Sequence, residues 1–192
     1  MKNLERVFDL VLDPTIRIEG TYVQSYPHMI DYFKKIKTLT VSDVVIGAHM
    51  IYGWMPTILR VDKKKTDPQE VVRILQAVKD EKDDLSVDDL ITLKQYMNNS
   101  IVGASKILHF VAPEQYPIWD SKIFRFTHQN QKEPSQNRVN NALTYMKYRE
   151  KLHALMNHPS FTEFHNTIEE KLGYSVSGLR ALELAMFLNQ EA

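Results

Sequence analysis

The sequence predicts an all-α fold, a compact multi-helix globule. Apolar residues recur at intervals of three and four in most segments, which is the period of a helix with one buried face. Residues that start or stop helices separate these segments. The pattern predicts about nine helices joined by short turns. They would form one domain over residues 1–192, or two helical lobes with a cleft between them.

Proline and glycine divide the first third of the chain. A helix with Leu4 and Val7 on its apolar face is predicted to end at Asp13-Pro14, because proline cannot continue a helix. Residues 15–27 are predicted to be a packed loop, with a short strand pair as the alternative. Two helices then follow, at about residues 29–36 and 42–52. Gly53 to Pro56 interrupts the chain after them.

Capping residues mark the helices in the middle of the chain. Asp67-Pro68 places an N-cap and a first-turn proline at the start of one helix. Ser86, with Asp89 at the capping-box position, begins the next helix. Lys63 to Lys65 lies in a linker before the first of these helices, and residues 79–84 form a charged loop between them.

Turns and caps also divide the second half of the chain. Asn98 to Ser100 leads into an apolar helix, and Asp120 is predicted to cap a further helix that runs to about His128. The polar stretch 129–136 is predicted to be exposed. The remaining predictions are a long helix to about Met156, a helix at 161–172, and a last helix with Leu179, Leu182, Met186 and Phe187.

Composition excludes several classes of function. The chain has 24 basic and 24 acidic residues, so bulk charge does not favour nucleic-acid or membrane binding, although a local basic patch remains compatible with it. The absence of cysteine excludes disulfides, thiolate catalysis and iron–sulfur ligation. The seven histidines show no metal-binding spacing, so we expect no metal or other cofactor. Met1 to Leu12 lacks the apolar core of a signal peptide and no uncharged run could span a bilayer, which favours a cytoplasmic location. The sequence does not give the oligomeric state, and a monomer is the expectation.

One lysine lies within an apolar helix. Lys106 is the only charged residue between Ile101 and Ala112, and on the helix surface it lies between Val102 and Phe110. A helix that is apolar nearly all round is buried. The lysine must therefore extend to the surface, find an acidic partner, or occupy a pocket that lowers its pKa by desolvation. In the last case the neutral amine can act as a nucleophile.

Two sequence elements around this lysine resemble motifs of the helix–hairpin–helix DNA glycosylases, in particular members similar to 8-oxoguanine DNA glycosylase. In that family a turn of the type Leu-Pro-Gly-Val-Gly precedes a lysine, and a Pro-Val-Asp element follows. Here the first element reads Asn99-Ser-Ile-Val-Gly103-Ala-Ser-Lys106, and the second reads Pro117-Ile-Trp-Asp120-Ser-Lys-Ile123. The first element has one glycine where the family pattern has two.

The resemblance implies the excision of a modified or damaged base from DNA. Lys106 matches the family's Schiff-base lysine, which attacks the anomeric carbon of the deoxyribose and expels the base. Asp120 matches the catalytic aspartate, which stabilises the positive charge that develops on the sugar. A Schiff base also permits strand cleavage at the abasic site. DNA is then the expected partner.

Further residues are candidates for binding DNA or the extruded base. A base-flipping enzyme needs aromatic side chains that stack the base, and the candidates for its pocket are Tyr52, Trp54, His109 and Phe187. The candidates for DNA contacts are Ser100, Gly103, Ser105, Lys122 and Arg125. Each also has a structural interpretation: the aromatic residues as core, His109 as a satisfied core histidine, Lys106 as a lysine that reaches the surface, and Asp120 as an N-cap alone.

Two other functional classes remain open. The first is a non-catalytic descendant of the glycosylases that binds DNA or another protein, for example within a mobile-element or phage-defence system. On this hypothesis Lys106 is dispensable. The second is a helical interaction module unrelated to DNA, with the polar segment 129–136 as its contact loop. Convergence of the Lys106 amine and the Asp120 carboxylate within hydrogen-bonding reach in an open cleft would support the enzyme, and an amine that points to bulk solvent would argue against it.

Overall fold

The structure is a computed structural model that describes residues 1, 4–10, 18, 20–54, 58–59, 66–82, 84–128 and 135–189. Every regular element in these residues is helical, which confirms the all-α prediction. A 3-10 helix at Leu4–Leu10 is followed by α1 (Thr21–Lys35), α2 (Val41–Trp54), α3 (Pro68–Lys79), α4 (Val87–Tyr96), α5 (Ile101–Val111), α6 (Ser121–Thr127), α7 (Gln136–Val139), α8 (Ala142–Leu155), α9 (Phe161–Leu172) and α10 (Gly178–Leu188). None of the helices in the described residues is long and apolar enough to cross a membrane.

The predicted caps form as the sequence indicates. The side chain of Asp67 accepts a hydrogen bond from the Gln69 amide at 2.9 Å, at the start of α3. Ser86 and Asp89 make the reciprocal capping box of α4, in which the Asp89 amide donates to Ser86 Oγ at 3.0 Å. These bonds satisfy N–H groups that have no partner inside the helix.

The prediction of a loop over residues 15–27 is wrong where the structure describes it, because α1 begins at Thr21 and contains Pro27. A proline inside a helix leaves the carbonyl four residues earlier without its N–H donor. Here that carbonyl belongs to Val23, and the Tyr174 hydroxyl donates a hydrogen bond to it at 2.8 Å. A distant side chain therefore replaces the missing bond and allows the helix to pass through Pro27.

The prediction of one long helix before Met156 is also wrong, since the structure has two helices there, α7 and α8. Asn140 leaves the helical path, and its Oδ1 accepts a hydrogen bond from the Ile101 amide at 3.1 Å, at the start of α5. Asn141 then caps α8 through the Thr144 amide at 2.9 Å.

Some predictions lie outside the described residues, namely the stop at Asp13-Pro14, the Lys63–Lys65 linker, the break at Met55-Pro56 and the exposed stretch 129–134.

Helix α5 forms the centre of the packing. It lies against α1, α2, α3 and α4, and all of its residues except Val102 are buried, as its apolar sequence predicts. Helix α10 packs on the other side, against α6, α8, α9 and the 3-10 helix. The Trp119 amide donates to Ser105 Oγ at 3.0 Å and so ties the segment before α6 to α5. This packing brings the residues that follow α5 and the residues of α10 close to Lys106.

A buried charge cluster as the candidate functional site

Lys106 points into the protein and not to bulk solvent. Its side chain is only 9% exposed, and Nζ lies 4.9 Å from the centre of the Trp54 ring. In the part of the chain that the structure describes, no carboxylate oxygen lies within 4.0 Å of Nζ, so Lys106 and Asp120 do not converge within hydrogen-bonding reach. Burial lowers the pKa of Lys106. The carboxyl groups of Asp120 and Glu183 act to raise this pKa, and Arg180 acts to lower it further. The position therefore favours the neutral amine that a nucleophile requires.

Asp120 is the N-cap of α6, as predicted. Its Oδ1 accepts a hydrogen bond from the Ile123 amide at 2.9 Å, and its side chain is partly buried. The carboxylate also acts electrostatically on Lys106 and Glu183. Asp120 thus has a structural function and belongs to the charge environment of the lysine.

Sequence analysis missed two charged residues at this place, Arg180 and Glu183 on α10. They form a direct ion pair one helical turn apart and are 3% and 2% exposed. The signal that identified Lys106 could have identified them, because they are the only charged residues between Ser177 and Asn189. Two opposite charges at i and i+3 resemble an exposed helix pair, and only the packing of α10 shows that they are buried.

The two buried basic side chains share one aromatic ring. The guanidinium carbon of Arg180 lies 5.9 Å from the centre of the Trp54 ring, which also faces Lys106 Nζ, and 4.8 Å from the centre of the Tyr26 ring. Trp54 is held in place by its Nε1, which donates to the Tyr22 carbonyl at 3.1 Å, and by edge contact with Phe110. Trp54, predicted as a base-stacking residue, therefore lies at the lysine.

Burial also controls the acid–base state of the ion pair. Desolvation raises the pKa of Glu183 to about 7, although Arg180 acts in the opposite direction. Burial works to lower the pKa of Arg180, but the Glu183 carboxylate and Tyr26 raise it overall. The site thus holds two buried basic groups, the Lys106 amine and the Arg180 guanidinium, together with the buried carboxyl group of Glu183 and the partly buried one of Asp120. We refer to these four residues as the charge cluster.

His109 does not have the base-binding position that the sequence suggested. It is fully buried, its Nδ1 donates to the Tyr116 carbonyl at 2.7 Å, and its Nε2 accepts from the Tyr26 hydroxyl at 2.9 Å. This tautomer is assigned from the hydrogen bonds, since a carbonyl oxygen can only accept. Burial lowers the pKa of His109 to about 3, so the ring is neutral. Both ring nitrogens are occupied, and His109 is a satisfied core histidine.

Tyr52 and Ser105, predicted to bind the base and DNA, are likewise buried in the core of the structure. The Tyr52 hydroxyl donates to the Met97 carbonyl at 2.8 Å beneath the turn before α5. Ser105 is fully buried, and its hydroxyl is bonded to the backbone of Val102 and Trp119. Ser105 therefore presents no surface to DNA in this structure.

Helices α4 and α5 form a helical hairpin around the turn at residues 97–100. Asn98 and Asn99 both have positive φ angles, 57° and 53°, a conformation that asparagine tolerates better than most residues. Ser100 caps α5 by accepting from the Gly103 amide at 3.3 Å. A cavity of about 420 Å³ lies beside the turn, and its polar lining comes from Asn98, Asn99, Ser100, Ser121, Gln136 and Asn140.

The remaining candidates lie on α6 and α10. Lys122 Nζ stands 4.3 Å from the centre of the Phe187 ring, and Phe187 in turn lies 6.1 Å from the Tyr22 ring. Arg125 is exposed on α6. Lys122 and Phe187 thus meet each other, and through Tyr22 they border the Trp54 side of the charge cluster.

No family model, no curated protein and no solved structure matches this chain. The class of the protein therefore rests on its own fold and site. It is an all-α protein in which a helical hairpin leads into a buried lysine, and a buried arginine–glutamate pair and a capping aspartate surround that lysine.

Proposed function

We propose that this protein is a DNA glycosylase that removes a modified or damaged base through Lys106. The observation that carries the proposal is the position of Lys106, which is buried on the helix after a tight turn, with burial lowering its pKa and carboxylates nearby. Perturbed ionisable groups of this kind are concentrated at functional sites. The order of hairpin, lysine and helix-capping aspartate also agrees with the resemblance noted above.

The chemistry proceeds through the neutral amine of Lys106. Nζ forms a bond to C1′ of the deoxyribose, and the bond from C1′ to the base breaks. The base leaves with the electron pair and takes a proton from the attacking nitrogen. Opening of the sugar ring, with a proton taken up by the ring oxygen, then gives a Schiff base between Nζ and C1′. The Asp120 carboxylate stabilises the positive charge on the sugar.

Borohydride trapping tests the proposal. Oligonucleotides with oxidised, deaminated, alkylated and abasic sites are incubated with the wild type, Lys106→Ala and the matched control Lys151→Ala, whose lysine is exposed on α8. We expect a covalent adduct with the wild type and the control and none with Lys106→Ala. We expect Asp120→Asn to react roughly a hundredfold more slowly. Absence of an adduct and of base release on every substrate would contradict the proposal.

A non-catalytic DNA- or protein-binding module is the second candidate, and one observation favours it. The side chain of Asn140 already occupies the Ile101 amide at the start of α5, where a hairpin would offer a backbone N–H to a phosphate. On this alternative, Lys106→Ala binds its target as well as the wild type does. Equal DNA affinity of the two proteins, without trapping by either, would support the module.

A further inference from the structure

We propose that the Arg180–Glu183 pair is a positioning element for Lys106, in which Glu183 controls whether the amine holds its proton. The catalytic meaning of this role rests on the proposed glycosylase function. The electrostatic coupling between the two side chains does not rest on it and can be measured without DNA. Neither residue is expected to touch the base or the sugar.

The geometry of the charge cluster supports this role. The Trp54 ring lies 4.9 Å from Lys106 Nζ and 5.9 Å from the Arg180 guanidinium carbon, so two buried cations face the same indole. Glu183 holds the guanidinium directly by its carboxylate. Ser177 caps the first turn of α10 through the Arg180 amide at 3.1 Å, which fixes the helix that carries the pair.

Charge balance gives the pair its influence on the lysine. Two cations in a low-dielectric interior disfavour one another, and each carboxylate nearby compensates for this repulsion. The ionised carboxylate of Glu183 favours the ammonium form of Lys106. When Glu183 is protonated, its charge no longer offsets the repulsion from Arg180, which favours the neutral amine. Since burial raises the pKa of Glu183 to about 7, the change from one condition to the other falls near neutral pH.

The other ionisable groups around Lys106 do not provide this change. Asp120, before α6, favours the ammonium form and contributes a charge of the same sign as Glu183. His109, on the same helix as Lys106, stays neutral because burial lowers its pKa to about 3. Burial raises the pKa of Tyr26 on α1 and of Tyr148 on α8, so both hydroxyls stay protonated at neutral pH. Glu183 is the buried carboxyl group whose pKa burial raises to about 7.

Carbon-13 NMR of the intact protein tests the coupling. The ¹³Cε shift of Lys106, identified as the signal that Lys106→Arg removes, is followed against pH beside the ¹³Cδ shift of Glu183. We expect the Lys106 signal of the wild type to change in two steps, one of them at the pH where Glu183 titrates. In Glu183→Gln that step is lost, and the midpoint of Lys106 falls by about one pH unit.

The control is Glu170→Gln, which alters an exposed glutamate on α9 and should leave the two-step curve unchanged. A single step for Lys106 in the folded wild type, without inflection where Glu183 titrates, would overturn the inference. This outcome is read from the wild type alone, so it can be obtained even if Glu183→Gln does not fold.

If borohydride trapping succeeds, the acid limb of its pH profile shifts to lower pH in Glu183→Gln. A two-step curve without any adduct would retain the coupling and reject the glycosylase.

Discussion

Burial changes the acid–base chemistry of several side chains in this protein. Removal from water favours the neutral form of each group, so it lowers the pKa of Lys106 and of His109 and raises that of Glu183. The consequences differ. His109 has partners on both ring nitrogens and contributes to the core, whereas the Lys106 amine faces an aromatic ring and has no ion pair within 4.0 Å among the described residues. The first arrangement is structural, and the second leaves a buried amine without an acidic partner at that distance in the described part of the chain.

The low pKa of His109 predicts a loss of stability in acid. The unfolded chain takes up a proton at this histidine near pH 6.5, while the folded protein does not until about pH 3. The unfolded state then binds more protons, so stability falls as the pH falls through this window, by about 1.4 kcal/mol per pH unit. Urea unfolding from pH 7 to pH 4 should show the advantage of the wild type over His109→Gln shrinking at this rate.

His28→Gln, which alters an exposed histidine on α1, is the control for loss of a histidine. A difference between the wild type and His109→Gln that stays constant from pH 7 to pH 4 would contradict the assignment of a buried neutral ring. The comparison isolates His109 because all other titrating groups are common to the two proteins.

Among the elements, the hairpin of α4 and α5 shows how close packing supports the candidate site. Gly103 lies beneath the turn, where an added Cβ would stand 2.8 Å from the Tyr52 hydroxyl and 3.0 Å from Met97 Cβ. The Tyr52 hydroxyl is fixed by its hydrogen bond to the Met97 carbonyl, so it cannot move away without losing that bond. The glycine thus permits the close approach of α2 to the turn that leads to Lys106.

Gly103→Ala should therefore destabilise the protein by about 1–3 kcal/mol, through overpacking. Gly53→Ala is the matched control, because a Cβ at Gly53 meets no atom within 4 Å and α2 gains a better helix former. We expect Gly53→Ala to be neutral or to stabilise by up to about 1 kcal/mol. Urea midpoints of the two variants measure the difference, and equal effects would show that the space at Gly103 is not restrictive.

In the whole molecule, α10 connects regions that are far apart in the chain. It packs against the 3-10 helix at the N-terminus and against α6, α8 and α9, and all of its residues from Gly178 to Met186 are buried. The same helix carries Arg180 and Glu183 to the Trp54 ring. The element that joins the two sides of the fold therefore also completes the charge cluster.

The buried pair predicts a strongly non-additive result on mutation. Arg180→Met removes the cation that lowers the pKa of Glu183, so this carboxyl group must either stay buried as an unpaired charge or take up a proton. The change should cost about 3–5 kcal/mol. The double variant Arg180→Met/Glu183→Met should cost less than the single change, because it leaves no unpaired buried charge. Chemical denaturation of the wild type, both single variants and the double variant gives the coupling energy. Additive losses would mean that the two side chains stabilise the protein independently.

Signals that act within one helical turn explain how much of the fold could be predicted. The caps at Asp67, Ser86 and Asp120 bind amides two or three residues away, so their function is visible in a short stretch of sequence. The burial of Lys106 follows from its apolar neighbours on the same helix. Two predictions are wrong, namely the loop over residues 21–27 and the continuous helix through Asn140. The hydrogen bonds that decide these two regions come from Tyr174 and Ile101, which lie far away in the chain and leave no signal in the local sequence.

The local order of the chain is sufficient for the all-α class, the capped helices and a lysine enclosed by apolar residues. It does not specify which helix covers that lysine. Arg180 and Glu183 acquire their meaning only when α10 packs beside Trp54, because the energy of a charge depends on the groups and the solvent around it and not on its neighbours in sequence. The packing of the helices thus brings separate charged residues into one cluster, because these side chains are buried and interact with one another only in the folded protein.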